Sequence, residues 1–345
     1  MDDKPISLSP TRFADLKGWT EDDHAAAFRA WLRSCAADPK SPHAAAALAL
    51  GPGASADAAR AFFEGRFLPH LIAESARQGF VTGYYEPEIE GSYARDGPFQ
   101  VPVYRRPEDL ITLAPETERA RFNDRITGLR ETADGQVPYY TRAEIWDGAL
   151  LGRGLELLYL KDMVELFYMQ VQGSGCVHLN EGGSVRLGYA GKNGHPYTSI
   201  GRLLIEHGAI ASNAMSMAAV KAWLRADEAR GRALMEENRS YVFFRELDPK
   251  EGRDGPHGAQ GVALTPGRSL AVDTAYHRLG LPVFVTAEQL VTGAQPFRRL
   301  MIAQDVGSAI RGPERGDIFW GTGEDAGAIA GSTRHAARFC ILLPR

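Results

Sequence analysis

A chain of 345 residues, 44% hydrophobic and 24% charged, is long enough for two packed domains and sits near the globular average, which excludes a disordered or fibrous protein. Thirty-nine Lys and Arg against forty-three Asp and Glu leave a net charge of -4, so phosphate-backbone attraction does not drive binding and nucleic acid is not an expected partner. The longest apolar candidate, residues 44–59, is broken by Gly51, Pro52, Gly53 and Asp57, and no run approaches the ~20 residues of a membrane-spanning helix.

At the start, Met1-Asp2-Asp3-Lys4-Pro5 lacks a basic segment followed by an apolar one and offers no cysteine for lipidation. Either the protein is not exported or its export signal is absent from this chain. Cys35, Cys176 and Cys340 are odd in number and far apart, so they read as packed thiols rather than a disulfide framework or a CxxC site.

The first elements are helical. Phe28, Trp31, Leu32 and Cys35 fall at i, i+3, i+4 and i+7, one apolar stripe, and a second helix is predicted after Ser55 with Phe62, Phe63 and Phe67 as its buried face. From Gly79 the pattern turns to short apolar and aromatic stretches between Gly, Pro and Asn, and the middle region reads as mostly β. Within it, Gly194 and Gly208 bracket a helix carrying Ile200, Leu203 and Leu204, and another carries Val220, Trp223 and Leu224. Ser240–Phe244 reads as a strand, and Asp248–Gly261 as a connection. Five short strands follow, at 269–272, 282–285, 299–303, 318–320 and 339–343, which suggests a small barrel. The fold class is therefore mainly β with flanking helices.

Nucleotide and metal motifs are missing: Gly321, Gly323 and Gly327 do not fit GxGxxG, Gly188, Gly191 and Lys192 do not fit a P-loop, and the nine histidines show no HExxH. No cofactor and no metal are expected. Ser174, in Gly173-Ser174-Gly175, reads as a glycine-flanked bend, because a nucleophile elbow needs GxSxG. Three aspartates stand at the ends of strand-like segments in the last third: Asp273, Asp305 and Asp317. An aspartate held partly desolvated there has a raised pKa and can act as a general acid, whereas a plain turn cap is the alternative for each. An aspartic-protease dyad is disfavoured, since Asp273-Thr274-Ala275 and Asp305-Val306-Gly307 each lack part of the Asp-Thr/Ser-Gly set.

The segments Ala271-Val272-Asp273, Leu279–Val285, Ala303–Gly312 and Gly316–Gly321 resemble the three-aspartate (3D) domain of bacterial cell-wall lytic enzymes. Upstream, Gly83-Tyr84-Tyr85-Glu86-Pro87, Met169–Gly175 and Tyr189–Tyr197 resemble the lytic murein transglycosylase A family, in matching order from about residue 80 to the end.

This resemblance implies a double-psi β-barrel domain, built from residues 1–98 and 249–345 with its 3D segment at about 269–345. A smaller β-rich domain, 99–248, is inserted, with a groove between the two for a glycan strand. It implies cleavage of the β-1,4 bond between N-acetylmuramic acid and N-acetylglucosamine in peptidoglycan, with ring closure to a 1,6-anhydro end. One carboxyl would serve as acid and then base, and the family motif puts this on Asp317, which is expected to be buried beside Phe319 and Trp320. Asp305 would be its partner and Asp273 a third member, or a turn cap. Asp305–Ile310 is read as opening a short helix whose amides support the acid. Tyr84, Tyr85 and Glu86, with Gln170, Gln172, Ser174, Lys192 and Asn193, are the expected sugar-binding residues, and strand alternation allows only one of Tyr84 and Tyr85 to face the groove. Trp320 reads as a buried tryptophan rather than a stacking platform. The rival readings are a hydrolase using a second carboxylate, Asp305 or Glu86, and a non-catalytic polysaccharide-binding module. A periplasmic or outer-membrane-associated location follows from the substrate.

Overall fold

The computed structural model describes residues 7–72, 78–113, 126–249 and 252–345. The Met1–Pro5 stretch, read above for an export signal, lies outside the described residues. In chain order the elements are β1 (Leu8–Pro10), α1 (His24–Ala37), α2 (Ala44–Leu50), α3 (Ala56–Arg66), β2 (Phe67–Ile72), β3 (Phe80–Glu86), β4 (Glu88–Ser92), β5 (Val101–Tyr104), β6 (Ile111–Thr112), β7 (Gly128–Thr132), β8 (Gly135–Pro138), α4 (Arg142–Glu144) and β9 (Glu156–Leu160). Then come α5 (Met163–Gln172), β10 (Ser174–Leu179), β11 (Ser184–Lys192), α6 (Ile200–Glu206), α7 (Met217–Ala226), α8 (Glu228–Glu236), β12 (Val242–Glu246), β13 (Ser269–Val272), β14 (Pro282–Thr292), β15 (Gln295–Val306), β16 (Arg315–Thr322), α9 (Glu324–Ser332), β17 (Arg334–Ala336) and β18 (Arg338–Pro344). The chain divides into two compact units, residues 1–85 with 250–345 and residues 86–249.

Unit 1 is built on a nine-stranded sheet in the order β1-β2-β18-β14-β15-β13-β16-β3-β17. Period-two alternation sends Leu300 and Ile302 of β15 into a cluster with α1 and α3, and Met301 and Ala303 into a second cluster with Val283, Val285 and Phe339. The predicted stripe of α1 is fully used: Phe28, Trp31, Leu32 and Cys35 are buried. Asp23 starts this helix by accepting from the Ala26 amide at 3.0 Å, and Ser55 does the same for α3 through Ala58 at 3.2 Å.

Two polar ties fix the helices to the sheet. Asp22 accepts both guanidinium arms of Arg268, at 2.8 and 2.9 Å, and the Leu300 amide at 2.7 Å, with both side chains buried. Buried Gln304 donates to Ala30 O and Ser34 Oγ, both at 2.9 Å, and accepts from Ser269 at 2.6 Å.

The small barrel expected from the last third is not found closed. Among the described residues the strand order runs from β1 to β17 without a ring, because β2 joins the free edge of β18 and β3 the free edge of β16.

Unit 2 holds a six-stranded sheet, β12-β11-β10-β4-β9-β5, and a three-stranded one, β6-β7-β8. Its middle is less β-rich than predicted. The run Met163–Gln172 is apolar enough to pass for a strand, yet Asp162 caps it by accepting from Val164 at 2.7 Å, and Gly173, at φ 87°, ends it, so it is helix α5. This helix packs with α6, α7 and α8 around Phe167, Leu204 and Leu224. Beside it, buried Arg142 donates to the carbonyls of Asn238 and Ser240 at 2.9 and 2.6 Å and lies 4.6 Å from the Phe167 ring, and burial lowers its pKa to about 10.

Because removing one partner strands the other charge in the interior, Asp22→Ala is expected to destabilise the protein by about 3–5 kcal/mol. Urea unfolding measures this, and Asp22→Asn, which keeps an acceptor for the Leu300 amide, should lose less.

Candidate active site

Strand pairing assembles an acidic site within unit 1. β13 runs parallel to β15 and antiparallel to β16, and Ala271 is paired with Asp305 on one side and with Asp317 on the other. A register shift between Leu270 and Ala271 skips Gln304 and brings Asp305 into that rung. Paired residues share a face, so the two carboxyls flank one methyl group.

β3 supplies the next row. Thr82 Oγ1 donates to Asp317 Oδ1 at 2.6 Å, and Arg315 Nη2 donates to the same Thr82 oxygen at 2.8 Å, while Nη1 of Arg315 is held by the Gly316 carbonyl. The Thr82 proton is thereby aimed at Oδ1, which leaves Oδ2 as the oxygen for a transferable proton. Tyr84 Oη donates to Asp305 Oδ2 at 2.7 Å, and Asp305 Oδ1 accepts the amides of Ala259 and Val306, both at 2.9 Å. The loop bringing Ala259 can approach because residue 258 is glycine: a Cβ there would lie 2.5 Å from the Gln304 carbonyl oxygen.

Apolar side chains close the floor. Tyr84, Leu264, Ala271 and Phe319 form one buried cluster, with the Tyr84 and Phe319 rings 5.4 Å apart. Burial raises Asp317 to about 6 against the pull of Thr82 and Arg315, and nearby Asp305 adds to the rise. Burial also raises Asp305, opposed by its three donors. The Tyr84 phenol, pushed well above its usual value by burial and Asp305, stays a proton donor. The arrangement can thus deliver a proton near neutral pH and then hold the carboxylate left behind.

Asp273 is buried at the end of β13, where it accepts from the Ala275 and Gly312 amides at 3.2 and 2.9 Å and faces Arg311 at 3.4 Å. These are the contacts of a turn cap, and they tie the turn after β13 to the 311–312 segment. The predicted helix at Asp305–Ile310 does not form: Asp305 and Val306 end β15, and a single turn follows, from the Gly307 carbonyl to the Ile310 amide. Trp320 points to the opposite face from Asp317, 5.8 Å from the Phe297 ring and against Gly83, so Phe319 alone of that pair lies beside the acid. Of the two tyrosines, Tyr84 faces the aspartates, while the Tyr85 ring packs on Gly327 of α9.

Other expected sugar-binding residues lie in unit 2, several of them inside it. Glu86 is fully buried, with both oxygens 2.9 Å from Arg186 Nε. Asn193 is 0% exposed and makes four bonds, donating to the carbonyls of Tyr140 and Arg239 and accepting the amides of Tyr241 and His195. Gln170, 4% exposed, accepts from Arg142 and donates to the Val242 carbonyl at 3.0 Å. These three amide and carboxylate side chains brace the interior of unit 2 through these bonds. Ser174 is buried as the first residue of β10. Gln172, in the last turn of α5, and Lys192, at the end of β11, are half-buried.

Thr82 and Arg315 were not singled out from the sequence. Thr82 was signalled by its place two residues before Tyr84 on one strand face, and Arg315 by its place two before Asp317. The grouping of metal-ligating side chains found among the described residues, Glu88 with Cys176 and His178, belongs to unit 2 and includes none of the three aspartates.

Residues 80–245 match the MltA specific insert domain, and residues 268–343, which contain all three aspartates, match the 3D domain. A crystal structure of the membrane-bound lytic murein transglycosylase from Agrobacterium tumefaciens is 38% identical, with a TM-score of 0.87 over 99% of this chain and 98% of that one. The chain belongs to the MltA family. The membrane-bound lytic murein transglycosylase A of Vibrio cholerae is 36% identical over 272 residues, covering 76% of this chain and 65% of that protein, just under two thirds of its length. Escherichia coli MltA, crystallised with bound chitohexaose, is 30% identical, with a TM-score of 0.71 over 99% of this chain and 95% of that one.

For this MltA-family site the raised pKa of Asp317 has a defined linkage. Stability from its protonated form is fully present below about pH 4 and is lost as the pH rises through about 6. Asp317→Asn, which cannot ionise, is therefore expected to be more stable than the parent at neutral pH by on the order of 1–3 kcal/mol. Thermal unfolding should show the gain growing between about pH 4 and 6 and constant above it.

Proposed function

We propose that this protein is a lytic transglycosylase of peptidoglycan, cutting the β-1,4 bond between N-acetylmuramic acid and N-acetylglucosamine with Asp317 as its single acid and base. The observation that carries this reading is the Asp317 carboxyl set against the Tyr84–Phe319 cluster, with one oxygen engaged by the Arg315–Thr82 chain and the other left for the proton, a setting in which its pKa is raised. Protonated Asp317 gives its proton to the glycosidic oxygen as the C1–O bond breaks. The carboxylate then takes the proton of the muramic C6 hydroxyl as O6 bonds to C1, which closes the 1,6-anhydro ring and restores the acid. No water is consumed.

Charge is managed by what surrounds the acid. Once Asp317 loses its proton, the Thr82 hydroxyl and the Arg315 guanidinium stabilise the carboxylate. Asp305 would orient Tyr84 and the 258–259 loop, and its three donors favour that task over activation of a water, which a two-carboxylate hydrolase would require. The family names of the relatives and the chitohexaose held by the Escherichia coli protein support a β-1,4-linked amino-sugar strand as substrate. Within unit 2, half-buried Gln172 and Lys192 remain candidate sugar contacts, and within unit 1 Tyr84 stands beside the acids. The catalytic role belongs to the unit of residues 1–85 and 250–345, and the substrate role to the inserted unit of residues 86–249. The double-psi topology of the catalytic part is supported by the parallel β13–β15 pair set among antiparallel neighbours. Peptidoglycan as substrate places the protein in the periplasm or at the outer membrane, and among the described residues no helix is long and apolar enough to cross a membrane.

Mass spectrometry of purified peptidoglycan digested by the parent protein should show muropeptides with anhydro ends, one water lighter than hydrolysis products. Asp317→Asn should give none; reducing ends from the parent, or unchanged turnover by the variant, would refute the proposal. Thr82→Val removes a donor that lowers the Asp317 pKa, so the fall of kcat/KM with rising pH should move to higher pH.

A further inference from the structure

We propose that Glu88, Cys176 and His178 form a binding site for a divalent cation of the zinc class on the sheet of unit 2. β4 and β10 run parallel there, with Glu88 paired to Cys176, and His178 lies two residues beyond Cys176 on the same face. One carboxylate oxygen, the sulfur and one imidazole nitrogen all lie within 4.8 Å of one another, and His178 Nε2 is 3.4 Å from a Glu88 oxygen. Tetrahedral zinc holds its ligand atoms roughly 3.5 Å apart, so small side-chain rotations complete the geometry. Glu88 and His178 are exposed and Cys176 is buried, which gives a cation entry from solvent and an anchoring sulfur beneath.

The donor set decides the metal. One sulfur, one imidazole and one carboxylate suit Zn2+ and its first-row neighbours, whereas Mg2+ and Ca2+ require oxygen ligands. Three protein ligands leave the fourth position for water or an exogenous group. The surrounding charges suit a dication. Arg186, paired with Cys176 across β11, is bound to Glu86, and Lys161 is bound to Glu90, so neither cation is left opposite the cluster without its own carboxylate. On binding, the Cys176 thiol gives its proton to solvent and the thiolate bonds the metal. Bound there, the ion cross-links β4 to β10.

The test uses the full chain freed of metal by a chelator and titrated calorimetrically with Zn2+, with Mg2+ as control. One equivalent of Zn2+ and none of Mg2+ should bind, and Co2+ should give the near-ultraviolet absorption of a thiolate ligand. Cys176→Ser should abolish that absorption, and the surface variant His178→Gln, with an unchanged circular dichroism spectrum, should weaken Zn2+ binding by about tenfold or more. A parent protein that takes up no Zn2+, or variants that bind it as the parent does, would overturn the proposal.

Discussion

The acidic site depends on the pairing of one small residue, Ala271, with Asp305 on β15 and Asp317 on β16. Parallel pairing on one side and antiparallel on the other put two carboxyls on one face with a single methyl between them. Had β15 paired without its register shift, Gln304 would occupy the rung, and its side chain would not be free to hold α1. The same strand therefore serves two ends: Gln304 locks the N-terminal helix to one face while Asp305 presents its carboxyl on the other. The N-terminal helices, which carry none of the acids, matter to the site through this lock and through the Asp22–Arg268 pair.

Burial then separates the roles of the two acids. Both are raised, but Asp305 spends its oxygens on a phenol and two amides, whereas Asp317 has one hydroxyl bound to one oxygen. A carboxylate held by three donors is a positioning group; a carboxyl in an apolar setting with one donor is an acid. Arg315 moderates the outcome, since its charge pulls Asp317 down and its bond to Thr82 fixes which oxygen accepts.

Much of this was legible in the residues. The α1 stripe, the Ser55 cap and the later strands follow from period and punctuation, and the three aspartates stand out because each ends or begins an apolar segment. What escaped did so for physical reasons. α5 is apolar on nearly every side, so its period is masked and only the Asp162 cap and Gly173 betray it. The burial of Asn193, Gln170 and Glu86 could not be read from residue type, because amide and carboxylate side chains serve interior hydrogen bonding as readily as they serve a surface. Thr82 and Arg315 act on Asp317 across a strand pair that local sequence does not reveal. Glu88 joins Cys176 and His178 only through the β4–β10 ladder, so spacing along the chain shows two ligands and hides the third.

The central claim is that burial keeps the Asp317 carboxyl protonated into the range where an acid is needed. Carbon-13 NMR of the aspartate carboxyls, with Asp317 assigned by its loss in Asp317→Asn, measures this without substrate. The account predicts a titration midpoint of about 6 for Asp317. A midpoint near the ordinary aspartate value of about 4 would contradict it.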